Sequence, residues 1–397
     1  MSEAAGANSR RVRDWAESGV PALTGFPDGP ALIPPGSAAT VARRHTDRIA
    51  AVTGGRVRLD GARLLSERAA FTAFERGGTI SPGRHCRLLP TADGWAAVSC
   101  ARPDDAALLG ALVGGDIGDD PWPAVTDWLR TRPGAELAER AELLGLAAGP
   151  ITAGPAAVPE PLNARPVAGL RVVDFSALWA GPLCAHLLGL AGARVIKVET
   201  PTRPDGARRG DPEFYRLLHG GHESVVLDPG DSGQRRALRE LVDSADIVIE
   251  ASRPRALTGF GLDAEAFADS GGTWISITAH GRQSNRIGFG DDIAATAGLV
   301  ARPDGSTPVF VGDAIADPMT GLTAAVLAMS APADGSGRLW DIAMSAVVAA
   351  TIDPGSVTVA AGESVIVAPS RREAIGTAPD SGRDTAAVLA ELGVRPR

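Results

Sequence analysis

Residues 169–199, GLRVVDFSALWAGPLCAHLLGLAGARVIKVE, leave few folds open to the chain. The run at 170–175 is short and apolar, the mark of a strand buried on both faces. Ser176 is placed to cap a helix, Gly181-Pro182 opens one, and residues 183–190 supply its apolar stripe. Gly192 closes that helix and residues 194–198 form the next strand. This is a βαβ unit, which builds a parallel sheet with right-handed crossovers and binds ligands beyond the carboxyl ends of its strands. The turn at 176–182 lies at such an end. A dinucleotide fingerprint is excluded, because SALWAGP holds one glycine where G-x-G-x-x-G needs three.

The rest of the chain alternates in kind. Residues 1–12 are small and polar and read as disordered, 14–37 as irregular, and 38–53 and 62–74 as helical. Residues 76–84, RGGTISPGR, form a glycine-bearing loop, and Asp93-Gly94 between 86–89 and 95–100 signals a hairpin. Helices are expected at 104–113, 124–129 and 132–146, and residues 152–166, rich in Pro and Ala, read as a linker. Beyond it, strands are expected at 224–227, 247–250 and 274–278, with helices at 232–242, 291–299, 320–329 and 385–392. Asp231 is placed to cap the first of these, and residues 338–342 read as a last strand or a helix start. The 397 residues carry a formal charge of −8, which argues against a nucleic-acid partner. Cys86, Cys100 and Cys184 make neither a disulfide framework nor a zinc pattern, as expected of a reducing compartment. No apolar run is long enough to cross a membrane and no signal peptide is visible, so a cytoplasmic location is expected.

Seven blocks, in order, resemble the class III coenzyme A transferases, the family of formyl-CoA, carnitine and bile-acid CoA transferases and of α-methylacyl-CoA racemases. They are GLRVVDFSALWAGP…GARVIKVE, LHGGHESVVLDP at 218–229, IEASRPRALTGFGL at 249–262, GDDIAATAGL at 290–299, GDAIADPMTGL at 312–322, GRLWDIAMSA at 337–346 and GRDTAAVLAELG at 382–393. The resemblance implies an α/β fold: a Rossmann-like open parallel sheet plus a smaller α+β domain. In the family that small domain interrupts the last two blocks. Here its likeness, hairpin CRLLPTADGWAAVSC and closing WLRTRPGAELAERAELLGLAAGPI, precedes the linker. The expected layout is an N-terminal segment at 1–50, partly disordered, a small domain at 51–151, the linker at 152–166 and a CoA-binding domain at 167–397.

The resemblance makes Asp317 the catalytic carboxylate, attacking an acyl-CoA thioester to pass through an aspartyl anhydride and an aspartyl-CoA thioester. The local sequence equally allows Asp317 to cap its helix beside Pro318, and Asp313 is the competitor in a shifted register. Asp291 stands where the family's racemases hold a histidine, making it the second acid/base candidate, while Asp292 reads as a helix cap. Ser176, Trp179, Ala180, Gly181, Lys197 and Arg253 are the expected CoA contacts, with Trp179 either walling the acyl pocket or filling core. Arg208 and Arg209 are within reach of a phosphate in a variable loop, and Gly77-Gly78 match a glycine-rich loop over the site. His219 and His222 read as surface loop residues. The expected function is CoA transfer between an acyl-CoA and a carboxylic acid, with a 2-methylacyl-CoA racemase and a non-catalytic CoA-binding paralogue as alternatives. The CoA thioester enters as substrate, with no permanently bound cofactor, no metal, no nucleic-acid or membrane partner, and a homodimer as the assembly.

Overall fold

The computed structural model describes residues 2–393 except 116, 153, 155, 156, 253, 354 and 363–365. Six short strands, most of them rich in Val and Ile, form one parallel sheet. Their order is Arg338–Ala343, Thr273–Thr278, Ile247–Glu250, Arg171–Asp174, Arg194–Glu199, Glu223–Val226. Residues 338–343 thus resolve into the edge strand of the two structures the sequence allows. Chain order reverses between Arg171–Asp174 and Ile247–Glu250, where Asp174 pairs with Ile249. At that reversal neighbouring crossovers leave in opposite directions and a crevice opens beyond the carboxyl ends.

Side chains alternate across the sheet and serve two cores. Val172, Ile249 and Ile275 face helices Ala180–Leu190 and Ala316–Ala328. Val173, Val248 and Trp274 face helices Ser232–Asp243, Ala264–Asp269 and Thr385–Glu391. Helix Ala180–Leu190 is apolar nearly all round because it is covered on every side, and Leu183, Leu187 and Leu188 are fully buried. Each contributes about 1.5–3 kcal/mol by leaving water. Among the described residues no helix is long and apolar enough to cross a membrane.

The N-terminal residues join the first core. Where the sequence suggests disorder, helix Ser2–Glu17 runs instead. It is anchored by Trp15, whose Nε1 donates to Gly36 O at 2.8 Å, and by Arg11, which donates to Pro34 O at 3.0 Å. The polar start carries no helix signal because the anchors lie in the helix's second half. Helix Ala38–Val52 buries Ala39, Ala42 and Ile49 against Ala316–Ala328. Short helices Gly61–Leu64 and Ala69–Thr72 follow in the same core.

A second body begins at the hairpin Cys86–Pro90/Trp95–Ser99, which turns at Asp93-Gly94 as expected and gains a third strand, Ala148–Pro150. One face of the hairpin, Leu89, Ala96 and Val98, packs on helices Asp105–Val113, Trp122–Arg130 and Gly134–Leu144. The other face, Cys86, Leu88 and Ala97, packs on Ala295, Val300 and Phe310 of the main body. The linker is tied to the main body where Asn163–Ala164 pairs antiparallel with Ser330–Ala331, where Arg48 donates to Leu162 O at 2.7 Å, and where Thr152 N–H donates to Thr296 O at 3.2 Å.

Candidate functional site

The site is built where two helices touch. Asp317 lies in the first turn of Ala316–Ala328, and Gly321 follows one turn later on the same face. A Cβ on Gly321 would lie 2.6 Å from Ala180 O, so only glycine lets the first turn of Ala180–Leu190 come into backbone contact there. At that crossing the Ala180 N–H lies close enough to the Asp317 carboxylate to favour its ionised form. Asp317 therefore does not cap its own helix, whose N-cap is Ile315; it sits at the N-terminus of a neighbouring helix, where the dipole favours an anion. Gly290 closes the other side: a Cβ there would meet Asp317 Oδ2 at 2.0 Å and Ala314 O at 2.5 Å.

Three carboxylates surround one guanidinium. Arg68 donates through Nε to Asp313 Oδ2 at 2.8 Å, and Asp313 is wholly buried. That pairing commits Asp313 to Arg68 and removes it as a competitor for the reaction. Asp291 accepts from Ala314 N at 2.7 Å and from the Ser81 hydroxyl. Burial pushes the Asp317 carboxyl up to about 7, with Asp291 and Asp313 adding to the rise and Arg68 and the Ala180 N–H opposing it. Burial and the neighbouring Asp313 also raise Asp291. Asp292 is held up at about 7 by burial. It accepts from Ser99 Oγ at 2.8 Å and Phe289 N at 3.0 Å, docking the small sheet and closing the helix start as its capping role requires.

Two non-glycine residues beside the carboxylates hold left-handed backbone, Leu178 at φ 69 and Ala314 at φ 44. Such a conformation costs about 1–2 kcal/mol per residue and persists only where surrounding contacts enforce it. Ala314 is held by Asp291, and Leu178 by Asp205, which accepts its N–H at 3.0 Å.

A cleft of about 710 Å³ opens beyond the strand ends, between the turn at 177–180, residues 251–252 and the long segment 278–289. Asp317, half-buried, is the one carboxylate in its described lining.

The expected CoA contacts divide. Ala180 lines the cleft. Ser176 is buried and bonds Asp174 rather than capping the helix, whose N-cap is Trp179. Gly181 is needed because a Cβ would lie 2.1 Å from Ser176 Cβ. Trp179 fills core: it is 2% exposed, meets Phe214 edge-on at 5.4 Å and carries the Arg68 guanidinium 5.3 Å above its ring. Lys197 does not reach the cleft; it is 1% exposed, paired with Asp205 at 2.9 Å and donating to Ser176 O at 2.7 Å. Arg208 is bound to Glu199. Arg253 lies outside the described residues. His219 and His222 are buried, a correction to the surface reading: the first ends helix Pro212–His219, and burial, with the Lys197 charge nearby, holds both neutral. Gly77 and Gly78 form a turn tied to Gly25 and Phe310, and the loop meets the site through Ser81 instead. Sequence reasoning missed Arg68: LLSERAAF has nothing to mark it, and its partner is 245 residues away.

The family model for CoA-transferase family III matches residues 167–381. The succinyl-CoA–D-citramalate CoA-transferase of Chloroflexus aurantiacus is 29% identical over 196 residues, 45% of this chain and 49% of that protein. The human succinyl-CoA:glutarate CoA-transferase is 30% identical over 176 residues, 41% of this chain and 40% of that one. The chain thus spans about half the length of the curated relatives it matches. A crystal structure of a CAIB/BAIF family protein from Brucella suis aligns with a TM-score of 0.42 at 29% identity, covering 47% of this chain and 55% of that one. With more than half of its residues inside the family model, the chain belongs to CoA-transferase family III.

Proposed function

We propose that the protein is an acyl-CoA:carboxylate CoA-transferase with Asp317 as nucleophile. The observation that carries this reading is that Asp317 alone among the described lining carboxylates faces the cleft, with a backbone N–H at its oxygen. Ionised Asp317 attacks the thioester carbonyl; the C–S bond breaks, CoA leaves as thiolate, and an acyl anhydride remains on Asp317. The thiolate then attacks the aspartyl carbonyl and expels the first acid as its carboxylate, leaving an aspartyl-CoA thioester. The acceptor carboxylate attacks that carbonyl in turn, and the thiolate it releases takes the acceptor's acyl carbon, restoring Asp317. No proton is consumed. The Ala180 N–H, fixed before reaction, is placed to stabilise oxyanion charge on the aspartyl carbonyl. The names of the relatives, which pair succinyl-CoA with D-citramalate or glutarate, support a dicarboxylate acceptor.

We also assign residues 86–151, rather than the expected 51–151, as the family's small domain displaced to the N-terminal side, since residues 57–65 share the core of the main body; 152–166 is then the linker and 167–397 the CoA-binding domain. The separate core around Leu109, Leu129 and Leu137 supports this. A racemase would need a second base facing the cleft, and Asp291 is turned to Ala314 and Ser81 instead. The test is incubation with succinyl-CoA and hydroxylamine, then peptide mass spectrometry. A hydroxamate at Asp317 is expected, absent from Asp317→Ala, and full turnover by that variant would end the reading.

A further inference from the structure

Four arginines line the cleft: Arg102, Arg203, Arg282 and Arg286. Two are already neutralised. Arg102 is bound by Asp105 through Nε at 2.9 Å and gives Nη2 to Gly145 O at 2.7 Å. Arg282 is bound by Glu250 at 2.8 Å and Glu265 at 3.1 Å. Arg203 stands exposed at the rim. Arg286 differs from all three: it is half-buried, and no ion pair or side-chain hydrogen bond engages its guanidinium among the described residues. Gly149 of strand Ala148–Pro150 approaches so closely that a Cβ there would lie 2.9 Å from Arg286 Nη2 and 3.6 Å from the Thr296 methyl. Thr296 ends the helix whose first residue, Gly290, lies against Asp317 Oδ2. Six residues of helix separate those ends, about 9 Å at 1.5 Å per residue. The helix thus spans about 9 Å from the end near Arg286 to the end against Asp317, a length that suits a short diacid with one carboxylate toward each.

We propose that Arg286 is the subsite for the distal carboxylate of a dicarboxylic acceptor, selecting short diacids over monoacids. This rests on the transferase reading and adds to it the residue that recognises the acid. A planar two-donor fork suits a carboxylate, and a half-buried unpaired cation favours binding one.

Steady-state rates with succinyl-CoA and either glutarate or pentanoate, acids of equal carbon number, test it. In Arg286→Gln the glutarate-to-pentanoate ratio of kcat/KM falls at least about tenfold, through the KM for glutarate, and Arg286→Lys, which keeps the charge without the fork, falls between. An unchanged ratio in a folded variant overturns the subsite, as does a rise in the KM for succinyl-CoA alone, which would place a CoA phosphate there. Calorimetric titration with glutarate gives a readout without turnover: binding is weakened at least about tenfold in Arg286→Gln and retained in Asp317→Ala. If Asp317 forms no adduct while glutarate binding still depends on Arg286, the transferase reading falls and the subsite stands. Transfer through Asp317 with glutarate binding indifferent to Arg286 ends the subsite alone.

Discussion

As the proposed nucleophile Asp317 would act only when ionised, and its carboxyl is held up at about 7, chiefly by burial. The rate of adduct formation is therefore expected to rise with pH and level off above about 7, as a stopped-flow pH profile would show. Stability runs the opposite way. A carboxyl that titrates higher in the folded than in the unfolded chain keeps its proton on folding between about pH 4 and 7, so stability falls as pH rises through that window. Asp317→Asn removes that charge and is expected to stabilise the protein at pH 8 by on the order of 1–3 kcal/mol, measured by denaturant unfolding at pH 5 and 8. Arg68 has the opposite role. Arg68→Leu leaves Asp313 buried and unpaired, which costs about 3–5 kcal/mol. It also withdraws the main downward pull on Asp317, so in any fraction that folds the midpoint of the pH–rate profile should move above that of the wild type.

At the level of elements, the site depends on two close approaches. Gly321→Ala would force its Cβ against Ala180 O and part the two helices, an overpacking cost of about 1–3 kcal/mol. Gly290→Ala acts on chemistry as well. Its Cβ would occupy the place of Asp317 Oδ2 and also press on Ala314 O, so it is expected to cost about 1–3 kcal/mol like Gly321→Ala and, in addition, to lower turnover of the folded protein below that of Gly321→Ala, which separate assays of melting and turnover resolve. These glycines also show what the sequence reveals. The spacing of Asp317 and Gly321 is visible as letters, and i, i+4 places them on one face. That the face meets Ala180, from a block some 140 residues earlier, follows from packing.

On the scale of the whole molecule, residues 2–72 are structural to the main body rather than appended to it. Trp15, Ile49 and Leu65 share a core with Leu322 and Val326, and Arg68 neutralises Asp313. A chain starting at residue 157 is therefore expected to lose cooperative folding, read as a lost near-UV circular dichroism signal. A folded, cooperative fragment would refute the shared core.

Five of the six parallel strands and the hairpin were legible in the sequence, with 338–342 left open between strand and helix, because strand and turn preferences are local and βαβ units have one handedness. Which basic residues face the ligand was not. Both Lys197 and Arg286 are cations in the sequence, yet the first is sealed against Asp205 under the turn and the second lines the cleft with no ion pair among the described residues. Arg68 gained its role from a partner across the fold. Charge placement depends on which distant elements meet, and that is settled by packing rather than by any run of neighbouring residues.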